Sequence, residues 1–219
     1  MKAKILVPES LADIRLSQYQ KFHKTTDGIE DAAYIHRQMV GIFCNIPDDL
    51  VDKIALKDFN EIVDQITKVL NTKPYLVNIT HHKGKDLGFI PNFDEITVAE
   101  QSDIDSNIKY VDKWHLVMAT LYRPVTLERN GKYLIEEYNP DGKGIDLTLD
   151  CVFGAMFFFT NLLTDLLNCT QNFIEAEVSQ DPRLQTSGLS GDGIKTYISS
   201  LRETFSNLTK LLNYDYMMR

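Results

Sequence analysis

Apolar residues recur at helical spacing along most of the chain. Between residues 59 and 70 every apolar position falls on one side of a helix, and the positions between them are polar or charged. These apolar positions are Phe59, Ile62, Val63, Ile66, Val69 and Leu70. A second stripe predicts a helix from about Asn107 to Tyr122, ended by Pro124. Its members are Ile108, Val111, Trp114, Met118 and Leu121.

The segment near residues 148–178 is apolar on nearly every side through its middle. A helix of this kind must be wrapped by its neighbours, so we expect a long buried helix there, at the centre of a helical core. A polar loop with glycine and serine is expected over residues 180–193, followed by a C-terminal helix over residues 193–213. The apolar spacing of that last helix is heptad-like, which fits either packing within the chain or a seam between subunits.

Two segments predict β-hairpins rather than helices. Near residues 75–90, two short apolar runs flank a turn at Lys83-Gly84. Near residues 125–138, Asn130-Gly131 separates two strand-like runs, and this dipeptide supplies the positive φ angles of a type I′ turn. The chain is therefore predicted to be mainly α with short β-hairpins (an α+β fold), in a single domain spanning residues 1–219.

Composition narrows the possible partners. The 219 residues carry a formal charge of −8 with a pI of about 5.1, which argues against binding to nucleic acid, because phosphates need clustered cations. The longest apolar run, over residues 151–163, is too short for a bilayer that needs roughly twenty residues, so no membrane association is expected. The three cysteines form no CxxC pair and are interpreted as buried free thiols of a reducing compartment.

No arrangement of residues predicts catalysis, a cofactor or a metal. His81 and His82 are adjacent on an expected strand and so point to opposite faces, which disfavours a shared metal. The segment from Asp103 begins like a calcium loop, but it has Ile108 where glycine is required and Trp114 where glutamate is required. The glycine-rich stretch 187–193 lacks the Gly-Lys-Ser/Thr ending of a phosphate loop. We therefore expect a protein that is not an enzyme.

The candidate partner contacts are an acidic stretch and a hairpin tip. The acidic residues, which have no lysine or arginine between them, are Asp94, Glu95, Glu100, Asp103 and Asp105. Such a stretch is either a solvated face or a contact for a basic neighbour. Glu100 also completes a capping box with Thr97, which predicts a short helix. The second candidate is the tip formed by Asn130 and Gly131.

The segment from Leu87 to Thr97 suggests a structural corner. Pro91 and Asn92 would set a bend, and the aromatic and aliphatic side chains on either side would insert into the core. Those side chains are Phe89, Ile90 and Phe93. The alternative is a loop that simply runs over the surface.

Several phrases together carry a family resemblance. They are SLADIRLSQYQKF (10–22), IFC (42–44), LGFIPNFDEIT (87–97), WHLVMATLYRPVT (114–126) and VFGAMFFFTNLL (152–163). In this order they resemble a family of small head–tail or tail-region virion proteins of tailed bacteriophages of Bacteroidetes, including crAss-like phages. The resemblance covers roughly residues 10–167.

The resemblance implies a phage structural protein, synthesised in the bacterial host cytoplasm and incorporated into the virion. It implies a ring or connector subunit of the head–tail or tail-barrel assembly, with the portal, tail or other ring subunits as partners and a homo-oligomeric ring as the assembled state. The alternative is a tail assembly chaperone that is absent from the mature virion. The stretch over residues 42–66 is similar in style to such chaperones.

Overall fold

A computed structural model describes residues 5–161, apart from the side chain of Asp94. The helices are α1 (Leu16–Thr26), α2 (Ala32–Phe43), α3 (Asp48–Val51), α4 (Leu56–Leu70), α5 (Val98–Asn107), α6 (Trp114–Leu121) and α7, which is helical over residues 149–161. The strands are β1 (Ile79–His82), β2 (Lys85–Phe89), β3 (Tyr122–Arg129) and β4 (Lys132–Ile135). The predicted α+β class, mainly helical with short hairpins, is confirmed.

The four strands form one antiparallel sheet in the order β1-β2-β3-β4. Both predicted hairpins are present, and both turn at the predicted dipeptide. The central residues all have positive φ, with values of 49° and 79° at Lys83-Gly84 and 53° and 73° at Asn130-Gly131. Positive φ at both central positions characterises type I′ turns, whose twist matches that of the flanking strands.

The first hairpin begins later than the sequence pattern suggests, at Ile79 rather than Tyr75. Tyr75 and Leu76 lie against α7 instead, in close contact with its backbone. A Cβ atom on Gly154 of α7 would lie only 2.2 Å from the carbonyl oxygen of Tyr75, so glycine is what allows this approach. Asn78 O accepts from Phe89 N, and the ladder with β2 begins at Ile79.

The expected buried helix is confirmed as far as the structure describes it. Residues 149–161 are helical, and the apolar side chains along this segment are largely buried. Those below 4% exposed are Leu149, Cys151, Val152, Phe153, Ala155, Met156 and Phe159. Its start is tied to α1, because Leu16 N donates to Leu147 O and Leu149 N donates to Ile14 O. Residues 162–178, the 180–193 loop and the 193–213 helix lie outside the described residues.

The prediction of a single helix from Asn107 to Tyr122 is wrong, because the helix is interrupted there. α5 ends at Asn107, a 3-10 turn covers Val111–Lys113, and α6 starts at Trp114. The Trp114 indole N–H donates to Ile108 O at 2.8 Å and so satisfies a carbonyl that a continuous helix would have used. The five residues of the stripe are still all buried, so the spacing identified the core-facing positions but not the break.

The predicted corner from Leu87 to Thr97 is present. Phe89 and Ile90 are buried, the chain bends at Pro91, and half-buried Phe93 contacts an aromatic cluster. The ring of Phe93 lies 5.5 Å from that of Phe89 and 5.1 Å from that of Phe159. These separations are typical of favourable aromatic pairs, so the corner joins the sheet to α7.

Candidate functional site

The acidic residues singled out in the sequence lie around the start of α5, where they have different roles. Glu95 is exposed, and Asp94 belongs to the 3-10 turn Phe93–Glu95. Asp105 is also exposed and accepts a hydrogen bond from Gln101 Nε2 at 2.9 Å. The stretch is therefore not one uniform acidic surface.

Glu100 is buried in the fold rather than presented to solvent. Its side chain is 4% exposed, and its Oε1 atom lies 2.8 Å from Arg123 Nη2 of β3, whose side chain is 13% exposed. Its Oε2 atom accepts from the backbone N–H of Thr97 at 2.7 Å and from the Thr97 hydroxyl at 2.6 Å. The predicted capping box is confirmed. The prediction of Glu100 as a partner contact is corrected, because its charge is already used to attach α5 to the sheet.

The carboxylate of Asp103, like that of Glu100, has a hydrogen-bond partner within the fold. The hydroxyl of Tyr138, which follows β4, donates a hydrogen bond to the Asp103 carboxylate. Partial burial and this hydrogen bond raise the pKa of Tyr138 to about 12, so the phenol stays protonated and continues to donate at neutral pH. Tyr138 thereby fixes the chain leaving the hairpin against α5.

These contacts frame an open groove of about 500 Å³ between the start of α5 and the chain that continues from β4. Its floor includes buried Ile90 and half-buried Ile96, and the Glu100–Arg123 pair closes one side. The rim carries three exposed carboxylates, Glu95, Glu136 and Glu137. Within residues 5–161 none of these three carboxylates forms an ion pair. The groove therefore has an apolar floor and a rim whose negative charges are not paired with cations.

The β3–β4 hairpin forms the second part of the site. Leu127 pairs with Leu134 and Arg129 pairs with Lys132, so these four side chains share one face of the hairpin. The two leucines are 56% and 57% exposed, and both cations are exposed. We call this surface, defined by these four residues, the hairpin face. The predicted contact residues Asn130 and Gly131 lie at its exposed tip.

The opposite side of the hairpin is attached to the sheet through Tyr133. The Tyr133 hydroxyl donates to Phe89 O at 2.8 Å, and the ring lies over Gly88. β2 pairs with β3 only from Tyr122 to Pro124, so residues 125–129 have β4 as their only strand partner within the described sheet. The hairpin therefore extends past the end of its pairing with β2, and no described strand pairs with the outer edge of β4. Such unpaired edges can pair with another chain.

The other groups considered for chemistry within residues 5–161 are two buried thiols and a paired histidine. Cys44 and Cys151 are buried, and burial raises the pKa of the Cys44 thiol to about 11. His81 Nδ1 lies 2.8 Å from Asp86 Oδ1 on the surface of the first hairpin. Across residues 5–161 no three histidine, cysteine or acidic side chains are grouped as metal ligands. In the same range no helix is long and apolar enough to span a bilayer.

Sequence reasoning missed most of the hairpin face and groove. The sequence did contain a signal of the hairpin face, because Leu127 and Arg129 before the turn match Leu134 and Lys132 after it. Leucines in strands ordinarily point into a core, however, so the pattern did not indicate an exposed surface. Glu136 and Glu137 were visible only as part of a strand-like run. Their proximity to Glu95 requires the tertiary fold.

Comparison with known proteins adds no family or relative. No family profile, curated protein or solved structure matches this chain.

Proposed function

We propose that this chain is a virion structural protein of a tailed bacteriophage, a ring or connector subunit of the head–tail or tail-barrel assembly. It acts by binding other structural proteins, among them the portal, tail or ring subunits and further copies of itself, and it catalyses no reaction. It is made in the host cytoplasm and ends in the particle.

The observation that carries this proposal is the projecting β3–β4 hairpin. An exposed apolar pair, Leu127 and Leu134, stands on a strand pair whose backbone edges are open. Exposed apolar side chains grouped together mark interaction surfaces, and an unpaired strand edge offers backbone groups to another chain. Rigid attachment through Tyr133 supports the same role, because a subunit contact needs a fixed direction.

The resemblance to tail-region virion proteins gives the proposal its phage context. Its phrases lie mostly in core elements, including α1, the Leu87–Thr97 corner, α6 with the start of β3, and α7. They therefore support a shared architecture, whereas the assembly role is supported by the hairpin and groove.

Mass spectrometry of purified virions from the phage that encodes this chain tests the proposal. A ring subunit is expected in the particle, at a copy number fixed by the symmetry of the ring. Absence from virions, combined with abundance in infected cells, would refute the ring role and favour the tail assembly chaperone instead.

A hairpin variant makes the test more specific. Leu127→Asp with Leu134→Asp should reduce incorporation into virions, because it places charges at the proposed contact. Leu6→Asp with Leu56→Asp is the matched control, since both leucines are 74% exposed and neither belongs to the hairpin or lines the groove. Equal incorporation of both variants would exclude the hairpin as the assembly contact.

A further inference from the structure

The hairpin face and the acidic groove are complementary in charge and in apolar character. Arg129 and Lys132 stand side by side on the hairpin face, and neither forms an ion pair within residues 5–161. The groove rim carries three uncompensated carboxylates above an aliphatic floor. We infer that the hairpin face of one copy of this chain docks into the acidic groove of a second copy.

A second copy is required because the charged tip of the hairpin, Arg129 and Lys132, cannot reach the groove rim of its own chain. A strand rises about 3.3 Å per residue, so Lys132 and Glu137 lie roughly 17 Å apart along an extended chain. β4 is extended from Lys132 to Ile135, and Tyr138 is held on α5 by its hydrogen bond to Asp103. The charged tip therefore stands away from the groove rim of its own chain, whereas Leu134 at the base of the hairpin face also lines that groove.

The contact has a defined chemistry. Arg129 and Lys132 would pair with Glu136 and Glu137 of the second copy, since charge pairs at a rim set orientation and speed association. Leu127 would lie over the Ile90–Ile96 floor and bury apolar surface that is exposed in the isolated chain.

The charged tip (Arg129 and Lys132) and the groove rim (Glu136 and Glu137) are different parts of one chain, so a contact between them is heterologous and propagates from copy to copy. Head-to-tail contacts of this type generate rings when the rotation between copies closes. The inference thus rests on the proposed function and specifies how its subunits would join.

Sedimentation of the full chain, with two charge-reversal variants, tests the contact. The tip variant is Arg129→Glu with Lys132→Glu, and the groove variant is Glu136→Lys with Glu137→Lys. Each should weaken self-association by about tenfold or more, because like charges then face each other. Lys21→Glu with Lys24→Glu makes the same charge change at two exposed positions of α1, which line neither the groove nor the hairpin face, and should leave self-association unchanged.

Mixing the two variants gives the decisive result. The tip variant keeps an intact groove and the groove variant keeps an intact tip, so one contact in the mixture is native. The two reversed surfaces are also opposite in charge, so the mixture should associate although neither variant does so alone. Since each variant then binds through a native surface, loss of folding cannot explain the pattern. Raising salt from about 0.05 M to about 0.5 M should dissociate this complex, as exposed charges become screened.

Three outcomes would overturn the inference: a wild-type chain that stays monomeric at every concentration, a tip variant that associates like wild type, or a mixture that forms no complex. None of them removes the chain from virions, so they are distinguishable from failure of the ring proposal. That failure would be seen only in the composition of the particle.

Discussion

The ring of Tyr133 on β4 lies directly over Gly88 on β2, two strands away in the sheet. A Cβ atom on Gly88 would lie 2.6 Å from Cε2 of Tyr133, closer than side chains approach each other. The Tyr133 hydroxyl continues past this point to donate to Phe89 O. The bare backbone at Gly88 is thus what lets Tyr133 hold the projecting hairpin at a fixed angle to the sheet.

Gly88→Ala should therefore destabilise the protein and loosen the hairpin. Overpacking of this kind typically costs about 1–3 kcal/mol, which urea denaturation would measure as a lower midpoint. Gly41→Ala is the control, because a Cβ there meets its nearest atoms at 3.4 Å and sits in α2. A Gly88→Ala protein as stable as wild type would mean that Tyr133 does not lie over this glycine.

The buried Arg123–Glu100 ion pair should contribute far more to the free energy of unfolding than the exposed Arg37–Asp52 pair. Arg123→Ala leaves a buried carboxylate without its cation, which typically costs about 3–5 kcal/mol. Arg37→Ala removes a partner from the Arg37–Asp52 pair, whose side chains are 38% and 55% exposed, and such pairs contribute about 0–1 kcal/mol.

Chemical denaturation of both variants distinguishes the two cases. Addition of Glu100→Gln to the Arg123→Ala protein should recover part of the loss, because no buried charge then remains. Equal stabilities of Arg123→Ala and Arg37→Ala would show that Glu100 is not buried and paired as described.

Local features of this fold were predictable from the sequence. The Asn130-Gly131 turn and the Thr97–Glu100 capping box depend on backbone preferences within four residues, and both are present. The bend at Pro91 was equally readable. In each case the physical cause lies within the segment itself.

Features set by distant residues were not predictable. Glu100 was expected on an acidic surface, but it pairs with Arg123 of β3. No residue near Glu100 in the sequence indicates that partner. At the break before α6, the Trp114 indole N–H donates to the Ile108 carbonyl in place of a backbone N–H. The spacing of apolar residues carries no information about this hydrogen bond. The groove likewise exists only because the fold brings α5 beside β4.

Phe89 and Phe93 should both contribute to stability, to different extents. Phe89 is 2% exposed, and its ring contacts those of Tyr122 and Phe158 besides that of Phe93, so Phe89→Ala should cost about 3–5 kcal/mol. Phe93 is half-buried, and Phe93→Ala should cost less. Thermal melting of both variants is the measurement, with 77% exposed Tyr75→Ala as the control. Unchanged melting of both phenylalanine variants would disprove the corner.

Asp13 should make the stability of the protein depend on pH in the acidic range. Burial acts to raise the pKa of its carboxyl, but hydrogen bonds from the Ser10 hydroxyl and from the N–H groups of Glu9 and Ser10 outweigh it and lower the pKa below 3.8. A lowered folded-state pKa means that the carboxylate stabilises the fold fully above about pH 3.8. This contribution is lost as the pH falls through the folded-state value.

Asp13→Asn should consequently be less stable than wild type at pH 7, and the difference should shrink as the pH falls below about 3.8. Urea midpoints of both proteins at pH 7, 4 and 3 would measure it. Asp64→Asn, an exposed change on α4, serves as the control and should show a small difference throughout. A gap between wild type and Asp13→Asn that widened at low pH would reverse the sign of the linkage, and would mean that the hydrogen bonds at Asp13 favour its protonated form.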